Sequence, residues 1–239
     1  MTVMVFAAVL VPALVGGFQS KDIESYCQPG LRDLAFTGKV VKAKVSEAAK
    51  IDNDYKRNLS FQNFKVVAKE PFKLRLDMQA DDTTFVYLVN GNTQVTRIPK
   101  LKINQKVDVT NEPGRKQTFL EFGMLTPTVA TKFFQSKFVR FDRETGNPVF
   151  DLTWPEKFDN TSRMRIWIDK DEKYIVRREW YGQLGQLKAT ILFSKPVKEA
   201  GVAFPTIQQT FNAENKLAAE FHYSSVKIND GVSDTLFSL

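Results

Sequence analysis

The sequence predicts a mainly β protein (α+β class): a meandering antiparallel sheet too large to stay flat, with one or two short covering helices. Three observations carry this. Apolar and polar residues alternate with a period of two over most of the chain after residue 35. Turn signals recur between these stretches at roughly the spacing expected of short consecutive strands. Stretches with helical spacing are few.

The chain opens on MTVMVFAAVLVPALVGG, residues 1–17, without one charged side chain, and Lys21 is the first basic residue. An apolar run that ends in small residues predicts a secretory signal peptide cleaved near Gly17. An uncleaved membrane anchor and a buried core segment are the alternatives, and Pro12 argues against a stable spanning helix. Residues 20–26 form a short helix candidate stopped by Pro29-Gly30. Phe72, Leu74, Leu76 and Met78 then alternate with Lys73, Arg75, Asp77 and Gln79, a half-buried strand. Residues 84–89 and 93–98 flank Asn90-Gly91, a pair suited to a tight hairpin. Residues 138–141 and 149–154 flank a turn at 144–147. Met164, Ile166 and Ile168 run into an acidic turn at 169–172, from which 174–181 returns. Three further strands carry Leu187 to Phe193, Ile207 and Phe211, and Leu217 to Tyr223. Thr126-Pro127 reads as the N-cap and first position of a second helix, with Val129, Ala130, Phe133 and Phe134 at helical spacing. No Pro- or Gly-rich linker divides residues 18–239, which are read as a single domain.

Composition limits the chemistry. With 239 residues and 43% hydrophobic content the chain has ample material for a core. One Cys and one His exclude an internal disulfide, a Cys-based zinc site and a His-cluster metal site. No metal and no cofactor is therefore expected. The net charge of +7 favours an acidic partner. Twenty Phe exceed what core packing ordinarily requires. No phosphate-binding loop, nucleophile elbow or dinucleotide fingerprint is present. His222 lies beside Glu220 on the polar face of a strand, Asp81-Asp82 and 169–172 read as turns, and 182–185 (GQLG) reads as a turn between strands. Cys27 reads as a small structural residue. Arg163, Arg165 and Trp167, then Arg177, Arg178, Trp180 and Tyr181, interleave charge with aromatic rings. That pattern suits a solvated sheet face, or contact with anionic lipid or a membrane protein; nucleic acid is not expected. No catalytic residue is nominated, and the protein is not read as an enzyme.

Residues 66–78 (VVAKEPFKLRLDM) followed by 85–92 (FVYLVNGN) resemble the LolA/LolB-like superfamily of periplasmic lipoprotein carriers. Residues 164–176 (MRIWIDKDEKYIV), 201–205 (GVAFP) and 226–237 (VKINDGVSDTLF) match in style, so the resemblance extends over about residues 31–237. It implies an incomplete, strongly curved β-barrel with short helices as a lid, enclosing a cavity for acyl chains. Carriers of the family place an Arg before the Pro, where this chain has Glu70 before Pro71. Arg75 is a different basic residue of the pattern.

The resemblance implies an exported carrier, in the periplasm of a two-membrane bacterium, that binds lipoprotein acyl chains or phospholipid and takes part in outer-membrane lipoprotein sorting. The expected cavity residues are Phe72, Leu74, Leu76, Met78, Phe85 and Tyr87 on the strands, closed by Phe133 and Phe134. The lid candidates are residues 127–134 and 20–26, and the protein is expected to be a monomer. A periplasmic sensor of lipids or mislocalised lipoproteins is the alternative, and an exported hydrolase is a third reading.

Overall fold

The period-two alternation resolves into one antiparallel sheet of thirteen strands in the computed structural model, which describes residues 19–239. The secretory segment expected over residues 1–17 lies outside the described residues. In chain order the strands are β1 (Asp33–Ala43), β2 (Asn63–Lys69), β3 (Lys73–Ala80), β4 (Thr83–Asn90), β5 (Thr93–Ile98), β6 (Ile103–Asp108) and β7 (Gln135–Phe141). They continue as β8 (Pro148–Thr153), β9 (Arg163–Ile168), β10 (Ile175–Tyr181), β11 (Leu187–Glu199), β12 (Val202–Asn212) and β13 (Leu217–Ile228).

Their spatial order is β6-β5-β4-β3-β2-β1-β13-β12-β11-β10-β9-β8-β7. Two meanders are thus joined side by side where β1 pairs with β13. β6 and β7 remain as free edges, so the barrel is curved but unclosed. Irregularities in the ladders sharpen the bend: the β1–β13 register shifts between Ala35 and Thr37 and again between Val40 and Lys42. Ser225 in β13, at the first of these shifts, adopts a φ of 53°, as a residue bulged out of a ladder does. The expected hairpin turn at Asn90-Gly91 is present, with Gly91 at φ 59°.

The stretch between the two edge strands fills the concave face. From Val109 to Phe134 the chain crosses the interior through short helical turns and buries Phe119, Leu120, Phe122, Met124, Leu125, Val129 and Phe133. Gly123 makes the crossing tight. Its φ is 79°, and a Cβ there would lie 2.9 Å from the Phe193 ring and 3.0 Å from Pro205. Its carbonyl accepts the Ile175 N–H at 2.8 Å, and the Leu125 carbonyl accepts the Gln28 N–H at 2.8 Å.

The two expected helices are shorter than their spacing suggests. Residues 20–26 yield a single turn, Ile23–Tyr26, capped by the Asp22 carboxylate. Thr126 does cap the second segment, accepting the Val129 N–H at 3.3 Å. The turn then widens over Val129–Phe133, with the Phe134 N–H reaching back to the Val129 carbonyl at 3.3 Å. Both segments pack into the core, so neither is a lid. The helices that do stand over the sheet were not expected: α1 (Val45–Ile51) and α2 (Asn53–Asn58), the latter capped by Asp52, which accepts the Asp54 N–H at 2.7 Å.

A second, smaller core lies on the other face of β2–β5. Val67, Val86, Leu88 and Val95 are buried there, and the C-terminal turn Asp234–Phe237 covers them with a fully buried Phe237. Arg75 and Asn90 hold this turn by donating to the Leu236 and Phe237 carbonyls at 3.2 and 3.1 Å.

Where the meanders join, Glu220 of β13 is only 9% exposed and accepts from Lys42 of β1 at 2.9 Å and Gln209 of β12 at 2.8 Å. His222 Nε2 lies 2.9 Å from its other oxygen. These hydrogen bonds, from Gln209 first, then Lys42 and His222, hold the carboxyl at about 2, against 4.5 when unrestrained. The depressed value means that Glu220 contributes stability above about 4.5 and loses it as pH falls toward 2.

Two outcomes follow for stability. Gly123→Ala should lower the unfolding free energy by about 2–4 kcal/mol in urea titrations, from left-handed strain together with overpacking. Between pH 7 and pH 3, the urea midpoint of Glu220→Gln should fall less than that of the unaltered protein. An equal fall would place the acid sensitivity elsewhere.

Candidate functional site: an apolar cavity beneath the helices

A sheet that curves this strongly cannot be filled by one crossing segment alone. Between the concave face, the crossing segment and the helices lies a cavity of about 750 Å³, a size typical of small-molecule sites. Leu76 and Met78 of β3 and Tyr87 of β4 form one wall. Met164 of β9, Trp180 of β10 and Ile191 of β11 form the opposite one, with Phe221 and Tyr223 of β13 between them. Ile51 of α1, Tyr55 of α2, and Leu59 and Phe61 just beyond make the roof. Gln183 and Gln186, exposed in the β10–β11 turn, also line it and mark an end open to solvent. Leu184 at the tip of that turn is 92% exposed.

One glycine shapes the wall. The far end of the Phe64 ring lies over Gly38 on the neighbouring strand, so close that a Cβ on Gly38 would stand 2.2 Å from it. The ring therefore rests on the backbone of β1 and meets Phe221 and Tyr223 edge-on at 6.2 and 6.3 Å.

Of the residues expected to line a cavity, Leu76, Met78 and Tyr87 do so. Phe85 stands behind the roof, with its ring centroid 4.7 Å from that of Phe61. Phe72 and Leu74 border only a void of about 10 Å³, because Phe119 and Val129 of the crossing segment seal that end of the sheet. Phe133 and Phe134 are packed against Trp154 at 5.5 and 4.7 Å, inside the core. Alternation identified the face correctly but not where along it the plug would sit. The roof residues carry a signal in the sequence: Ala48, Ile51, Tyr55 and Leu59 recur at helical spacing. Glu70 precedes Pro71 across a cis peptide bond and lies outside the large cavity.

Polar side chains, among them Asn160, Ser162, Gln183, Gln186 and Lys188, also line the cavity, and several of those on its inner wall are engaged. Arg178 donates to the Leu120 carbonyl at 3.2 Å and to Glu121 at 2.9 Å, so it ties β10 to the crossing segment. The Tyr223 hydroxyl donates to Gln208 at 2.7 Å and that of Tyr87 to the Arg115 carbonyl at 2.7 Å. Burial pushes both hydroxyls up, so they remain protonated donors at neutral pH. Cys27 is fully buried and its thiol is pushed up to about 12, by burial and then by Glu24 and Asp22, which leaves it inert. Among the described residues no group of three or more His, Cys, Asp or Glu side chains is placed to hold a metal ion.

The stretch of alternating basic and aromatic residues divides between the two faces. Arg178 and Trp180 point inward to the cavity. On the outer face Arg165 makes a two-pronged contact with Asp151 at 2.7 and 2.9 Å, and Arg177 meets Glu179 at 2.5 Å. Arg177 stacks on Trp167 at 4.8 Å, and Arg163, which also borders the cavity, stacks on Tyr181 at 3.7 Å. These guanidinium groups are already matched by carboxylates and rings. Among the described residues no helix is long and apolar enough to cross a membrane.

A protein-family model described only as "Uncharacterized protein" matches residues 149–239, and no curated protein matches the chain. Solved structures are more informative. A domain from Vibrio parahaemolyticus named for outer membrane lipoprotein sorting superposes with a TM-score of 0.58 at 14% identity, covering 90% of this chain and 92% of that one. A DUF1329 family protein from Desulfovibrio piger gives 0.58 at 11% identity, covering 87% and 90%. A LolA superfamily protein from Nitrosomonas europaea gives 0.56 at 13% identity, covering 90% and 94%. At such identities the likeness speaks for architecture alone: this chain has the LolA-like fold, an unclosed antiparallel barrel curved around an interior cavity.

Proposed function

We propose that the protein is an exported, non-catalytic carrier that holds lipoprotein acyl chains or phospholipid in its cavity, acting in the periplasm in outer-membrane lipoprotein sorting. One observation carries this reading: a cavity of about 750 Å³ walled mainly by aliphatic and aromatic side chains in a LolA-like sheet. Each methylene moved there from water contributes about 0.8 kcal/mol, so a single acyl chain gains useful affinity without polar contacts. The roof helices α1 and α2 are short, which keeps the cost of admitting and releasing a chain low. Leu184, exposed beside the open end, suits brief contact with an apolar donor or acceptor surface. The LolA-like domain from V. parahaemolyticus, named for lipoprotein sorting, supports the same assignment by analogy.

Native mass spectrometry of the protein from periplasm should reveal a co-purifying diacyl lipid or acylated peptide. Brominated acyl chains should quench Trp180 and Trp154, which line the cavity. Leu76→Trp, which narrows the same wall, should weaken acyl-chain binding by about tenfold. Delipidated protein that neither takes up labelled phospholipid or acylated peptide nor shows quenching would overturn the proposal.

A further inference from the structure

The cavity wall holds three polar atoms that have no hydrogen-bond partner among the described residues: Tyr55 Oη, Arg178 Nε and Thr210 Oγ1. Arg178 is 7% exposed and Thr210 1%. All three residues line the cavity, one each from roof helix α2, strand β10 and strand β12. They also lie near one another. Burial pushes the Tyr55 hydroxyl up to about 12, opposed by the approach of the Thr210 hydroxyl to hydrogen-bonding reach and then by the Arg178 guanidinium, yet the geometry falls short of a full hydrogen bond. Three unsatisfied groups gathered in one part of the wall are unusual, since buried polar atoms are nearly always paired.

Their chemistry defines what would satisfy them. Each can donate: an N–H from Arg178 and an O–H from each of Tyr55 and Thr210. The Arg178 charge is already met by Glu121 at 2.9 Å. A second carboxylate brought to this cluster would leave an uncompensated negative charge in an apolar cavity, which is disfavoured. A neutral acceptor oxygen has no such cost.

We propose that Tyr55, Arg178 and Thr210 form a binding site for the ester carbonyl of an acyl lipid, the point where hydrocarbon meets glycerol. The inference rests on the carrier reading and specifies its substrate class. The acyl chain runs along Leu76, Met78 and Ile191, while its carbonyl, with two lone pairs, accepts from two of the three donors at a time. Tyr55 rides on α2, so an outward shift of the roof brings the carbonyl to Arg178 and Thr210, which are otherwise closed from solvent. Chains attached through an ether, without the carbonyl, leave the donors unpaired.

The test compares a diester phosphatidylglycerol with its diether counterpart, alike in chains and headgroup, by tryptophan quenching or calorimetry. The protein should bind the diester about three- to tenfold more tightly, the worth of one or two hydrogen bonds. Thr210→Val and Tyr55→Phe, which keep shape and remove a hydroxyl, should each shrink that ratio. Both are gentler than altering Arg178, which anchors the crossing segment. Equal affinity for the two lipids, or a ratio that survives both substitutions, overturns the ester site and leaves the carrier reading intact. Failure to bind either lipid overturns both. Repeating the comparison with a diacylated lipopeptide and its ether analogue distinguishes lipoprotein from phospholipid as the source of the ester.

Discussion

The rest of the structure depends on one segment that must cross the concave face of the sheet. β6 and β7 are the two free edges, and the chain between them has to travel from one to the other. It takes the inside route, because Phe119, Leu120, Phe122 and Met124 can be buried only against the concave face. Its path is fixed by a glycine with no room for a side chain, by the Gly123 and Leu125 carbonyls, and by Arg178 gripping Leu120 and Glu121. The segment fills one end of the trough and leaves the other to α1 and α2. The cavity is the space that this plug does not reach.

The abundance of Phe can be understood in the same terms. Phe36 meets Phe122, Phe204 and Tyr223 with ring centroids 5.0, 5.1 and 4.8 Å apart, building a continuous aromatic core from β1 across to the plug. Phe133 and Phe134 do similar work around Trp154. Among the described residues, only Phe61, Phe64, Phe122 and Phe221 of the phenylalanines line the cavity. Aromatic rings cover large areas with few torsions to freeze, which suits a wide sheet with a thin filling. Most of the excess belongs to packing and a minority to the cavity.

The alternation made most of the sheet legible, because half-buried strands write their two faces into the sequence. β1 was harder: Gly38 interrupts its apolar series, and the missing side chain is supplied by Phe64 from the next strand. β6 is a polar edge strand that is exposed along most of its length and has almost no apolar period to read. The helices α1 and α2 are short and highly charged, so their propensity signal is weak even though Ala48, Ile51 and Tyr55 keep helical spacing. Leu76, Met78 and Tyr87 were legible as one apolar wall. Arg178 and Thr210 were not, because period two reports which face a residue occupies and says nothing about whether its polar atoms find partners.

The free edges also bear on how such a protein can change over generations. Every strand other than β6 and β7 is hydrogen-bonded on both sides, and its register is locked by two neighbours. A hairpin added or lost at the seam would leave the other registers undisturbed. The volume enclosed can therefore grow or shrink by editing the rim, with the β1–β13 joint conserved as a spine and no interior side chain exchanged. A lineage built on this plan can widen or narrow its cavity through insertions and deletions, a route that a closed barrel, with a fixed strand number and stagger, does not have.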